Sequence, residues 1–118
     1  MQINHIYQKP CGMLEDIPYN SIDVVVTSPP YNLSHPRQKN KNHNMVGYDT
    51  FGDNVPQDQY ECEQVELLNA CSRVLKPGGS IFYNHKERQV NGVTITPYRW
   101  VLQSECELVQ AITWNRGS

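Results

Sequence analysis

No apolar run in this chain of 118 residues approaches the ~18 that a membrane span requires. The first ten residues, MQINHIYQKP, are too polar for a signal peptide. A cytoplasmic chain is therefore expected, with no membrane partner. Positive charge is not in excess: the formal net charge is -2, so the global balance does not announce a polyanion ligand. The four cysteines form no C-x-x-C pair, and no histidine stands beside them at zinc-ligand spacing. That excludes a sequence-legible metal site and favours reduced, partly buried thiols. Cys62 and Cys71 lie on roughly opposite faces of a helical stretch. Lys76-Pro77-Gly78-Gly79 lacks P-loop spacing and precedes a strand, which makes it a helix exit. There are no internal repeats and no low-complexity tracts.

What is present reads as α/β. Residues 22–27 (IDVVVT) are a nearly continuous β-branched run, the pattern of a strand buried on both faces. Residues 56–75 place Tyr60, Gln64, Leu67, Leu68, Cys71, Val74 and Leu75 on one helical face, with Pro56 suited to the first turn. Residues 80–84 (SIFYN) read as the next strand, 85–92 as polar loop, and 97–103 as a short helix. Further strands are expected at residues 3–7 and 106–114, and a turn or two of helix at 11–17. Residues 32–55 read as a long loop, the kind that is functional or mobile inside a compact domain. Alternating strands and helices imply a largely parallel sheet.

The segment VVVTSPPYNL, residues 24–33, carries the chemistry. In open α/β sheets ligands bind beyond the carboxyl ends of the strands. Ser28-Pro29-Pro30-Tyr31 occupies such an end. Two prolines fix φ twice and remove two N–H donors, so the carbonyls of Ser28 and Pro29 can accept from something else. A hydroxyl, aimed carbonyls and an aromatic face within four residues suit a flat group bearing an amine. The plainer alternative is a proline pair that only ends a strand.

TSPPYN resembles the catalytic motif of the DNA amino-methyltransferases, which make N4-methylcytosine or N6-methyladenine. LKPGGSIFYNHKER at 75–88, ITWNRGS at 112–118 and YDTFGDNVPQDQY at 48–60 resemble further blocks of that family, in the same order. The resemblance implies a Rossmann-like methyltransferase fold, incomplete here, with residues 1–118 forming part of a catalytic domain. It implies S-adenosylmethionine as cofactor and double-stranded DNA as partner, in a restriction–modification or phage setting. The target base is flipped out of the duplex. Ser28, Pro29, Pro30 and Tyr31 are then the catalytic residues. Tyr31 stacks on the base, while Ser28 and the Pro29 carbonyl accept from its amine. Thr27, Ser28 and Pro29 border the cofactor. Serine rather than aspartate at position 28 favours cytosine N4 over adenine N6. Glutamine side chains or RNA bases are alternative acceptors, and a non-catalytic nucleic-acid-binding remnant is the alternative of a different class.

No acidic residue occurs between Asp23 and Asp49, whereas Arg37, Lys39 and Lys41 fall in that window. These cations, with Asn32 and with His85, Lys86 and Arg88 after the SIFYN strand, are the expected nucleic-acid contacts, gripping phosphate by counterion release. Either group can instead be an ordinary solvated loop. Trp100 and Trp114 are expected to pack rather than to wedge between bases. The family's Gly-rich F-x-G-x-G cofactor segment has no counterpart, because the chain holds no G-x-G at all. Nor is a target-recognition region visible. Gln8-Lys9 stands where relatives carry Gly-Asp. The expectation is a piece of a longer enzyme, binding S-adenosylmethionine weakly or not at all when isolated.

Overall fold

The computed structural model describes residues 1–8, 12–32, 55–115 and 117. Six elements are seen in chain order: β1 (Ile22–Thr27), α1 (Gln57–Val74), β2 (Leu75–Tyr83), β3 (Arg88–Val90), β4 (Val93–Ile95) and α2 (Tyr98–Val101). β1 and β2 pair in parallel, with Val24 opposite Ser80, Val25 opposite Ile81, Val26 opposite Phe82 and Thr27 opposite Tyr83. The β1–α1–β2 order is thus a parallel crossover, as expected from the alternation of periods.

α1 begins after Pro56, whose φ of -52° is preset by its ring. Asp58 lies in its first turn and Arg73 in its last, each on the favourable end of the helix dipole. Leu75 leaves in extended geometry. The terminal carbonyls of α1 do not go unmet, because the backbone N–H groups of Asn20 and Ser21 bond Arg73 and Val74 at 3.1 and 2.8 Å. Entry into β1 is thereby tied to the end of the helix that follows it. The register breaks between Ile22 and Val24, where the Lys76-Pro77-Gly78-Gly79 exit is absorbed into the start of β2. A Cβ on Gly79 would stand 3.0 Å from the Asp23 carbonyl oxygen, so close backbone approach requires glycine there.

The core lies on one side of the sheet. Tyr60, Leu68, Ile95 and Trp100 form its buried centre, joined by Val55, Val65, Ile81, Tyr83, Val90, Val101 and Cys106. Cys71 faces inward and Cys62 outward, as their spacing required. The other sheet face is open: Val24, Val26 and Phe82 are 51, 77 and 54 % exposed. The expectation of a strand buried on both faces is therefore corrected. The β-branched run is there, but among the described residues layers cover only one side.

Three further expectations change. Residues 3–7 contain no strand, and Ile3 and Ile6 are exposed. Residues 106–114 likewise form no strand, with Val109 and Ile112 exposed. A strand exists only through a ladder partner, and neither segment has one among the described residues. Residues 12–17 make turns rather than helix, with Leu14 at a φ of 57° and Ile17 N–H bonding the Leu14 carbonyl at 3.0 Å. Cys11 lies outside the described residues.

The expected polar loop at 85–92 instead turns into a hairpin, Arg88 opposite Ile95 and Val90 opposite Val93. Its two-residue turn is Asn91-Gly92, with φ of 52° and 79°, the positive pair that a twisted hairpin demands. The hairpin delivers Ile95 to the core and leads into α2, which buries Trp100.

Candidate active site

The carboxyl end of β1 and the end of β2 are adjacent because the strands run in parallel. Thr27 sits opposite Tyr83, and the ladder continues one step further, Asn84 N–H donating to the Thr27 carbonyl at 2.8 Å. Ser28 and Asn84 thus leave their strands side by side. The Asn84 amide donates to Ser28 Oγ at 3.1 Å and to Tyr31 Oη at 2.9 Å. Those two hydroxyls bond each other at 2.7 Å. The result is a closed triangle at the protein surface, with Ser28 and Asn84 exposed and Tyr31 half-buried. Ser28 Oγ is engaged by side chains and not by backbone. Pro29 is buried, and among the described residues its carbonyl accepts no hydrogen bond.

Beneath the triangle lies an aromatic box. The Tyr31 ring is 4.9 Å from the His85 ring. His85 also meets Trp100 at 5.0 Å, Tyr83 at 5.7 Å and Tyr60 at 5.9 Å. Tyr60, 5 % exposed on α1, directs its hydroxyl to the Pro30 carbonyl at 2.5 Å and stands 2.7 Å from His85 Nε2. The Trp100 indole N–H donates to the Tyr83 hydroxyl at 3.0 Å, and that hydroxyl donates to Gln64. Burial pushes the Tyr83 phenol far above its ordinary range, the Trp100 hydrogen bond opposing only in part. Burial likewise raises the Cys106 thiol, against a hydrogen bond from Ser104.

A polar network anchors the far side of the motif. Asn32, 1 % exposed and at a φ of 58°, donates to the Val55 carbonyl and accepts from the Val55 N–H, both at 2.9 Å. Its amide also reaches Gln57 Oε1 at 3.4 Å, the atom that Arg88 contacts at 3.1 Å. Gln57 in turn donates to Glu61 at 3.2 Å, and Glu61 pairs with Arg99 at 3.2 Å.

The sequence-expected residues divide accordingly. Thr27, Ser28, Pro29, Pro30 and Tyr31 converge at the strand end. Asn32, buried and bonded on both amide atoms, ties the chain before residue 33 to the chain after residue 54. His85 is half-buried, its Nε2 meeting Tyr60 and its Nδ1 the Lys86 carbonyl at 2.8 Å. Arg88 is committed to Gln57. Lys86 is exposed as a nucleic-acid contact needs to be. Arg37, Lys39 and Lys41 lie outside the described residues. Trp100 packs in the core, while Trp114 is 73 % exposed. Sequence reasoning missed Asn84, Tyr60 and Gln57. For Asn84 a signal existed: once two strands are read as parallel neighbours, the residues just past their carboxyl ends must meet.

No group of histidine, cysteine, aspartate or glutamate among the described residues could hold a metal ion, and no described helix is long and apolar enough to cross a membrane. Fold and site together define an α/β unit with a hydroxyl, a backbone carbonyl and an aromatic ring gathered at the end of a parallel strand. The chain belongs to the DNA methylase family of N6 and N4 methyltransferases, whose model matches residues 22–118, from the first residue of β1 through every site residue. It is 45 % identical over 82 residues to the type II methyltransferase M.BglII of Bacillus subtilis, covering 69 % of this chain and 19 % of that protein. It is 38 % identical over 69 residues to the type II methyltransferase M.HpaI of Haemophilus parainfluenzae, covering 58 % of this chain and 18 % of that one. The chain thus spans under a fifth of the length of these curated relatives.

Proposed function

We propose that this chain is the amine-binding part of a Rossmann-like DNA methyltransferase that modifies an exocyclic amine, cytosine N4 in preference to adenine N6. The observation that carries the reading is the triangle: Asn84 clamps Ser28 and Tyr31 next to Pro29, whose carbonyl accepts no hydrogen bond among the described residues. An aryl amine is a poor nucleophile because its lone pair is delocalised into the ring. Acceptors on its hydrogens favour a tetrahedral nitrogen and stabilise the positive charge that develops there. The Pro29 carbonyl offers one such acceptor. Ser28 offers the other when its own proton points to Tyr31, for then Asn84 occupies one lone pair of Oγ and the second remains. Tyr31 presents a ring for the flipped base, a contact worth ~1–3 kcal/mol. The reacting amine sheds its proton after attack, and no enzyme nucleophile is required.

S-adenosylmethionine is the donor the family reading calls for, and it supplies an electrophilic methyl group on a sulfonium. Thr27, Ser28 and Pro29, gathered at the carboxyl end of β1, would border the reacting end of such a donor. They offer no carboxylate at this strand end for a ribose. The rest of the donor site and the target-recognition region are assigned to chain outside these 118 residues, and the isolated chain is expected to bind the donor weakly. The cations at Arg37, Lys39, Lys41 and Lys86 supply phosphate contacts in duplex DNA. A type II restriction–modification role is supported by the kind of protein it resembles.

The test is nucleoside mass spectrometry of duplex DNA incubated with S-adenosylmethionine and a form of the protein spanning the relatives' length. N4-methylcytosine is the expected product. N6-methyladenine would overturn the base preference alone, and absence of both would overturn the reading.

A further inference from the structure

Arg88 is held by an amide and by no carboxylate. Its Nη1 donates to Gln57 Oε1 at 3.1 Å, and among the described residues it forms no ion pair. The buried acid nearest in this network is spoken for: Glu61, 8 % exposed, accepts from Gln57 Nε2 at 3.2 Å on one oxygen and pairs with Arg99 at 3.2 Å through the other. Glu87, the residue before Arg88, is exposed and forms no ion pair with it. The bond to Glu61 also decides which way Gln57 points. Its N–H end faces the carboxylate, so its oxygen end is left for Arg88. A neutral acceptor orients a guanidinium without quenching its charge. One of five N–H donors is spent on it, and Arg88 is only half-buried.

The backbone places this cation beside the motif. Arg88 opens β3 opposite Ile95, which is buried in the core, and Gln57 is the first residue of α1. The Asn32 amide reaches the same Gln57 oxygen at 3.4 Å. The guanidinium thus stands two hydrogen bonds from the residue that follows Tyr31. We propose that Arg88 is a phosphate-binding residue, pre-positioned by Gln57, that receives the backbone phosphate beside the base lying on Tyr31. One sugar separates a base from its phosphate, so the two contacts belong to neighbouring parts of one strand. The planar fork of arginine matches two phosphate oxygens, and a fork already oriented loses less freedom on binding. Lys86, exposed two residues earlier and unpaired among the described residues, adds a point charge. Gln57 is then a positioning residue, and the Glu61–Arg99 pair orients it in turn. The identity of the nucleotide rests on the function proposed above; the anchored cation does not.

The experiment measures binding of the 118-residue chain to a fluorescein-labelled DNA duplex by anisotropy, between about 50 and 200 mM salt. Loss of one phosphate contact lowers the slope of log K against log salt by about 0.9. R88Q is expected to lose that amount and to bind about tenfold more weakly, equally on duplexes of unrelated sequence. R88K keeps the charge without the fork, so its slope holds while binding weakens. Q57E sets a carboxylate against Arg88 and should reproduce the R88Q slope with the arginine still present. R73Q, in the last turn of α1, should leave the slope as it is. Urea midpoints followed by tryptophan fluorescence show that each variant is folded, and should R88Q or Q57E not fold, the other decides. The proposal is overturned by an unchanged slope in R88Q, by a slope lost equally in R88K or R73Q, by a loss confined to one sequence, or by a wild-type chain that does not bind at the lowest salt. A wild-type slope in Q57E overturns the role of Gln57. The R88Q slope change without methyl transfer in the longer protein would sink the enzymatic reading and leave the phosphate site standing; methyl transfer with an unaltered R88Q slope would do the reverse.

Discussion

The Asn84 amide bonds the Tyr31 hydroxyl at 2.9 Å across 53 positions of sequence, and its second proton bonds Ser28 Oγ at 3.1 Å. One side chain just past the end of β2 therefore fixes both polar members of the motif that follows β1. Removing it in N84A leaves the Ser28 and Tyr31 hydroxyls to rotate. Methyl transfer by the longer protein is expected to fall about tenfold, the equivalent of ~1.4 kcal/mol. The urea midpoint of the chain should hardly move, because the site is exposed. A transfer rate equal to wild type would remove Asn84 from the mechanism.

Tyr31 has two separable attributes, a ring face and a hydroxyl. Y31F keeps the face and breaks the triangle, so its effect should match that of N84A. Y31A loses both, and base binding should weaken by a further ~1–3 kcal/mol. Fluorescence of 2-aminopurine at the target position measures the flipped base. Equal signals from Y31F and Y31A would show that the ring does not stack.

Asn32 joins the two sides of the segment at 33–54 through a paired bond to the Val55 backbone. N32D replaces the amide donor with a second acceptor, facing the Val55 carbonyl in a position only 1 % exposed. A loss of ~2–4 kcal/mol is expected from the unmet carbonyl and the buried charge. Urea unfolding followed by tryptophan fluorescence gives the value. A change under ~0.5 kcal/mol would mean that this anchor contributes nothing to stability.

Tyr83 links stability to alkaline pH. Burial raises its folded-state pKa above the unfolded value of about 10. Below that value both states hold the proton and the contribution of Tyr83 is complete. Above it the unfolded chain ionises while the folded one resists, so stability declines as pH rises. Y83F should lose this component of the decline, which paired unfolding series at pH 8 and pH 11 will show. At neutral pH it should cost ~1–3 kcal/mol, since Trp100 N–H and Gln64 both lose a partner.

β1, α1 and β2 were legible because each carries a strong local period and a punctuating residue: the β-branched run of 22–27, Pro56, and the glycines at 78 and 79. The parallel pairing followed from their order. The hairpin at Arg88–Ile95 was readable in principle from Asn91-Gly92, yet its flanks are polar and short, and charge outweighed the turn signal. The segments at 3–7 and 106–114 have strand composition without a strand partner, which composition cannot report.

The sequence by itself determined that Ser28, Pro29, Pro30 and Tyr31 would stand together at a strand end, because they are neighbours on a chain that two prolines make rigid. Tertiary structure alone decided what holds them. Asn84 reaches the triangle only through the register of β1 on β2, Tyr60 reaches Pro30 only because α1 packs under the motif, and Asn32 is buried only because Val55 comes back to meet it. A hydrogen bond between residues far apart in sequence leaves no periodic trace along the chain; it exists when folding brings donor and acceptor within 3 Å or so of each other.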